Sequence, residues 1–303
     1  MPNWNDLLDE IRETGSTYDI IRRKYLKKLH ELTGRNVIAY YSGWLQKPGI
    51  DGVGINDGDK IGFMSTIHKL DQSKGLDLLL HTPGGETAAT ESIVDYLLNI
   101  FGRNIRAIIP QLALSAGTMV ACACNSILMG KQSSLGPIDP QFRGLPAHGI
   151  IEEFNQAHQE IRVDPSKIPV WQPIIAKYNP TLIGECQKAI IWSEEMVKEW
   201  LINGMLRNDP AKDTKAIAIV KELGDHALTK SHARHISLAK CEEIGLEVEK
   251  LEDNQELQDA VLTVHHAFIH TLTATPALKI IENHIGKALV MSLQNIHIRA
   301  EKQ

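Results

Sequence analysis

The 303-residue chain predicts an α/β fold on a mainly parallel sheet, with helical segments before and after it. Two observations carry that prediction. Between about residues 36 and 129, short apolar runs bounded by turn residues alternate with longer amphipathic runs. That is the pattern of βαβ units with right-handed crossovers. In addition, two loops of small residues, His81-Thr82-Pro83-Gly84-Gly85 and Leu114-Ser115-Ala116-Gly117-Thr118, each follow a strand-like run and open a helix-like one. Such loops fall at the carboxyl edge of a parallel sheet, where α/β proteins bind ligands.

Taken in order, residues 4–32 have helical spacing and stop at Thr33-Gly34. Residues 36–41 read as the first buried strand, and the Gly-rich stretch 47–59 as a loop. Helix 61–70, strand 76–80, helix 87–99, strand 105–109, helix 116–124 and strand 126–129 follow. Gly136, Pro137 and Pro140 make 132–141 a stiff, non-helical loop. Residues 149–206 read as largely helical, interrupted at Asp164-Pro165 and Asn179-Pro180. A helix at 238–244 closes on Gly245, and 248–251 reads as a last strand. From Asn254 the periodicity predicts two amphipathic helices separated by Thr275-Pro276. The expected division is an N-terminal helical segment (1–35), a central α/β domain that carries both small-residue loops (36–252) and a C-terminal helical extension (253–303).

Composition narrows the function classes. A net charge of −5 and a pI near 6.2 argue against a nucleic-acid binder. The one basic cluster, Arg22-Arg23-Lys24 with Lys27 and Lys28, reads as a solvated helix face. Cys122, Cys124, Cys186 and Cys241 have neither metal spacing nor a disulfide framework, which suits buried thiols in a reducing compartment. The N-terminus has no signal-peptide pattern, and the apolar region 107–130 is interrupted by Pro110, Gln111, Asn125 and Ser126. A cytoplasmic protein without a membrane span is expected. Asn56-Asp57-Gly58-Asp59 lacks the spacing and terminal glutamate of a calcium loop. His266 and His270 stand at i,i+4 but lack the intervening acid and third ligand of a zinc site. Neither a metal nor a cofactor is expected.

The two small-residue loops carry the chemistry. A Pro-Gly-Gly turn leaves backbone N–H groups free, with no side chain between them and a ligand oxygen. A serine opening the next helix sets a hydroxyl beside those donors, giving acyl transfer its nucleophile and oxyanion hole. The blander readings are that Ser115 is an N-cap, Gly84-Gly85 a tight turn, and Asp139 the head of an Asx turn.

The run Ile55-Asn56-Asp57-Gly58-Asp59, the stretch from Gly75 to Gly85, Ser115-Ala116-Gly117, and Gly136-Pro137-Ile138-Asp139-Pro140-Gln141 together closely resemble the serine dehydrogenase proteinase family. That family is similar to the Clp proteases and signal peptide peptidase A, which share the ClpP/crotonase fold of stacked ββα units. The resemblance runs from about residue 20 to 250. It implies Ser115 as nucleophile, N–H donors from Gly84, Gly85 and Ala116, a peptide or protein substrate, a homo-oligomer, and a possible regulatory partner.

The resemblance does not fix the base. Set against the Clp pattern, Asp139 stands near the position of the base histidine. Counting back from Glu243-Ile244-Gly245-Leu246 puts His232 near that of the orienting aspartate. The expectation is a constellation of Ser115, His232 and Asp139 with the two partner roles exchanged, since triads are defined by geometry and not order. The alternative base is a lysine, Lys131 or Lys167, as in the Ser-Lys relatives. Two other functions stay open. One is a crotonase-like acyl-CoA enzyme using Glu86 and Glu91. The other is a catalytically silent oligomeric scaffold of the same fold.

Overall fold

The structure, a computed structural model, describes residues 4–14, 18–142, 144–224 and 234–293. The chain begins with α1 (Trp4–Thr14), α2 (Tyr18–Thr33), β1 (Asn36–Ser42), α3 (Asp59–Ile67), β2 (Leu76–His81) and α4 (Thr87–Phe101). Next come β3 (Ile105–Ile109), β4 (Leu112–Ala113), α5 (Ala116–Ala123), β5 (Ser126–Met129) and the short strands β6 (Ser134–Leu135), β7 (Gln141–Phe142) and β8 (Leu145–Pro146). A helical stretch follows: α6 (Ala147–Val163), α7 (Ile168–Ile175), α8 (Leu182–Asn203) and α9 (Lys212–Gly224). The last elements are β9 (Ile236–Ser237), α10 (Leu238–Glu243), β10 (Val248–Lys250), α11 (Gln255–Ala274), β11 (Ala277–Asn283) and β12 (Ala288–Ser292).

Seven strands form the central sheet in the order β10-β5-β3-β2-β1-β11-β12. The five from β10 to β1 are parallel, and at the other end β11 pairs antiparallel with both β1 and β12. The fold is therefore α/β with a mainly parallel sheet, as the alternation of runs predicts. Both faces of the parallel strands are covered, which is why those strands read as nearly continuous apolar runs. Ile38, Tyr40, Leu78 and Leu80 pack with Ile93, Met119 and Val197 of α4, α5 and α8. Their alternates, Val37, Ala39, Tyr41 and Leu79, pack with Leu26, Leu29, Val261 and Phe268 of α2 and α11. All four cysteines are buried and free. Among the described residues, no helix is long and apolar enough to cross a membrane.

The expectation of a second C-terminal helix after Pro276 is overturned, because residues 277–292 form the hairpin β11–β12. Lys279 and Glu282 give the segment a helix-like spacing of charge, yet both are inside the protein. Lys279 Nζ meets Asp59 at 2.7 Å, and Glu282 takes Arg22 at 2.7 Å and Arg23 at 3.0 Å. Once its charges are paired in the interior, the segment's Ile280-Ile281 pair favours a strand. β11 bonds to β1 from Ile38↔Asn283 to Ser42↔Lys279, so the expected boundary at 252/253 falls inside one continuous sheet. The N-terminal segment is two helices. The Trp4 ring of α1 packs on His270 of α11, their centroids 3.6 Å apart, and on His266 at 5.5 Å. That pair of histidines is thereby engaged in packing.

Candidate active site

The two small-residue loops meet at the carboxyl edge of the sheet. Thr82 and Ala113 form a bridge in which Thr82 N–H donates to Leu112 O at 3.1 Å and Leu114 N–H to Thr82 O at 3.0 Å. This lacing brings Ser115 against the Pro-Gly-Gly turn. Ser115 has φ 51° and ψ −116°, a backbone conformation that sterics deny to most side chains. Such strain persists only where the surroundings over-determine it, and it clusters at functional sites. A Cβ on Gly84 would stand 2.6 Å from Ser115 Cβ and 2.9 Å from Ala116 N, so only glycine permits this approach. Gly84 also has φ 101°, which a side chain would resist.

The N–H groups around Ser115 divide into engaged and free. Gly84 N–H donates to Thr82 Oγ1 at 3.1 Å, so Gly84 supplies close approach and not a free donor. This departs from the expectation that both glycines offer their N–H. Ile55 N–H donates to Gly84 O at 2.7 Å, and Glu86 N–H to Ile55 O at 2.9 Å. In a parallel bridge of this kind the middle residue turns its own N–H and C=O away from the pairing strand. Gly85 therefore directs its N–H away from Ile55. Among the described residues, neither Gly85 N–H nor Ala116 N–H has an acceptor. Both sit where helices start, α4 and α5, whose positive ends favour an anionic oxygen.

A cleft of about 650 Å³ opens over these groups, bounded by Gly85, Ser115 and Asp139 together with Ile55, Met119, Ile138, Phe142 and Trp192. Asp139 is 1% exposed and shares the cleft wall with Ser115. Its loop is built tightly: Thr118 Oγ1 accepts Gly136 N–H at 2.9 Å and lies 2.9 Å from Gly136 O, and Ile138 N–H donates to Leu223 O at 2.9 Å. The structure thus brings together Ser115, Ala116, Gly84, Gly85 and Asp139.

The other expected residues stand elsewhere. Lys131 is exposed and outside the cleft wall, with its backbone N–H on Glu252 at 2.8 Å. Lys167 is exposed too, paired with Glu160 at 3.3 Å and also outside the wall. A lysine base works from a desolvated position, which neither has. His232 lies outside the described residues. His81, at the end of β2, turns to the opposite face of the sheet, where it meets Trp44 at 4.4 Å and His265 at 5.2 Å.

Sequence reasoning missed the supporting role of Thr118 and that of Ile55. Thr118 gives one signal, a buried hydroxyl one turn after the serine inside an apolar helix; the pairing of Ile55 with Gly85 gives none. Gly117 is equally constrained, since a Cβ there would meet Thr82 Cγ2 at 2.5 Å. Gly117→Ala is expected to lower stability by about 1–3 kcal/mol through overpacking. Urea denaturation of the variant beside wild type checks this, and an unchanged midpoint would refute it.

The family model described as "ClpP-like SDH-type serine proteinase" matches residues 15–260. Two proteins of Methanocaldococcus jannaschii, both carrying the description uncharacterized, are similar to the chain. MJ1495 is 29% identical over 237 residues, covering 76% of this chain and 73% of its own length. MJ0137 is 29% identical over 195 residues, covering 64% of this chain and 60% of its own.

Proposed function

Because the chain belongs to the ClpP-like SDH-type serine proteinases, we propose that it is a serine peptidase with Ser115 as nucleophile. The observation that carries this reading is the strained Ser115 backbone beside two N–H groups without acceptors. Ser115 Oγ attacks the carbonyl carbon of a peptide bond, and the carbonyl oxygen becomes an oxyanion held by Gly85 and Ala116 N–H. Each such donor is worth on the order of 10²–10³ in kcat. The Oγ proton passes to His232 as general base and from there to the leaving amine. Water then hydrolyses the acyl-enzyme by the same route in reverse.

Asp139 orients His232 in this reading. Leu223 and Ile236, on either side of residues 225–233, both pair with the stretch that carries Asp139. Leu223 O accepts from Ile138 N–H, and Ile236 pairs with Leu135. An extended peptide suits the site because Gly85 is exposed and, with its N–H given to the oxyanion, turns its C=O to the cleft side as an edge strand does. We also infer self-assembly, as in the Clp-like relatives.

Fluorophosphonate labelling of the purified, assembled protein tests the reading. The expected result is a single adduct that peptide mass spectrometry maps to Ser115 and that His232→Ala suppresses. An unlabelled wild type would overturn it, and acyl-CoA turnover without labelling would favour crotonase-like chemistry instead.

A further inference from the structure

Beneath the Gly54–Asn56 stretch of the cleft wall lies a buried polar cluster that the chemistry above does not use. Lys279 of β11 and Asp59 at the start of α3 are 1% and 0% exposed. Lys279 Nζ donates to Asp59 Oδ1 at 2.7 Å and Oδ2 at 2.9 Å. Tyr40 OH donates to Asp59 Oδ2 at 2.8 Å, and Asn56 N–H to the same oxygen at 3.0 Å. The third bond of the ammonium goes to the backbone, Gly54 O at 2.7 Å. All three ammonium protons are then satisfied, which a buried lysine requires.

The residue between Gly54 and Asn56 is Ile55, the one that clamps Gly84 O and Glu86 N–H. Tyr40 also meets the hydroxyl of Thr82, which accepts Gly84 N–H. The cluster therefore grips the turn from two sides, through Ile55 and through Thr82. Only between those grips is Gly85 N–H held in one direction.

We propose that the Lys279–Asp59–Tyr40 cluster is a positioning device for the oxyanion hole, fixing the direction of Gly85 N–H from the C-terminal hairpin. It rests on the peptidase reading for its chemical consequence and on geometry for the positioning itself. An oxyanion donor is effective only when aimed beforehand at the position the charge will occupy. Loss of the clamp loosens Ile55 and the turn but leaves Met119, Ile138, Phe142 and Trp192 of the cleft wall in place, so binding of a small fluorophosphonate is largely spared and the chemical step is not.

Removing Lys279 alone strands a buried carboxylate and threatens folding. The test therefore uses Lys279→Met/Asp59→Leu/Tyr40→Phe, which replaces the whole cluster with apolar groups of similar size, beside wild type and Ser115→Ala. Amide hydrogen exchange reads the turn directly, with or without activity. The expected result is exchange about 10-fold or more faster at the bonded amides of the clamp, Ile55, Gly84 and Glu86, with 105–109 still protected as in wild type. Fluorophosphonate kinetics read the consequence, with the saturating labelling rate falling about 10-fold or more and half-saturation within about 3-fold. Wild-type protection at Ile55, Gly84 and Glu86 in the folded variant would overturn the proposal. So would lost protection there with an undiminished saturating rate. If wild type itself fails to label, the peptidase reading fails, and the exchange result alone decides the positioning.

Discussion

Ser115→Gly is expected to give a more stable protein than Ser115→Ala, while both lose turnover by on the order of 10⁴-fold or more. In an ordinary helical position the order of stability is reversed, because glycine costs roughly 0.5–1 kcal/mol relative to alanine. Ser115 is not in an ordinary position. Its φ of 51° and ψ of −116° are the mirror image of an extended conformation. Glycine, lacking Cβ, adopts that image as readily as the original, whereas any side chain holds it at a cost of about 1–3 kcal/mol. Set against the extra entropy of glycine in the unfolded chain, the net gain over alanine is about 1 kcal/mol. For a chain of this size that is a rise in Tm of about 2 °C. Thermal unfolding of the two variants side by side measures it. Equal stability, or alanine ahead, would mean that the Ser115 backbone stores no strain for the chemistry to use.

The second large effect is loss of stability in mild acid. Burial pushes the imidazole of His81 down to about 3. It pushes His284 down to about 4, helped by the neighbouring His30, and takes His265 well below the usual 6.5. In each case the folded protein binds its proton less readily than the unfolded chain does. Their contribution is fully present above about pH 6.5, the ordinary histidine value, and is lost as pH falls towards the folded values. At pH 5, His81 and His284 each forfeit about 2 kcal/mol, a large part of a typical domain's 5–15 kcal/mol. Neither nitrogen of His81 has a hydrogen-bond partner, and its ring packs among Tyr41, Trp44 and His265. His81→Phe therefore keeps ring packing of similar shape and loses no hydrogen bond. Urea unfolding at pH 7.5 and 5 should show a loss in wild type that is about 2 kcal/mol smaller in His81→Phe. Equal losses in the two proteins would exclude His81 as the source.

The parallel half of the sheet was legible because its physics is local. Leu76–His81, Ile105–Ile109 and Ser126–Met129 are apolar runs of four to six residues between turn residues, short enough to separate them from the equally buried eight-residue helix Ala116–Ala123. Ser115 and the two glycines were legible for a related reason, since small residues at strand ends announce close backbone approach. The hairpin after Pro276 was not legible. Lys279 and Glu282 look solvated until their partners Asp59 and Arg22 are known, and those stand 220 and 260 residues away in sequence. The division of labour between Gly84 and Gly85 was equally hidden. It depends on Thr82 Oγ1 taking one N–H and on Ile55 turning the other outward, and neither contact leaves a mark on the sequence pattern.

The hairpin also changes what counts as the indivisible unit of this protein. The region shared with the family ends at residue 260, inside α11, and an excision at that limit would remove β11 and β12 altogether. β1 would then become a bare edge, from Ile38 to Ser42, with unpaired backbone groups on a long apolar strand that invites aggregation. Asp59 would keep its place in the interior without its ammonium, and Arg22 without its carboxylate. Shared ancestry and autonomous folding therefore have different borders in this chain, and the folding border lies beyond residue 283, where β11 ends.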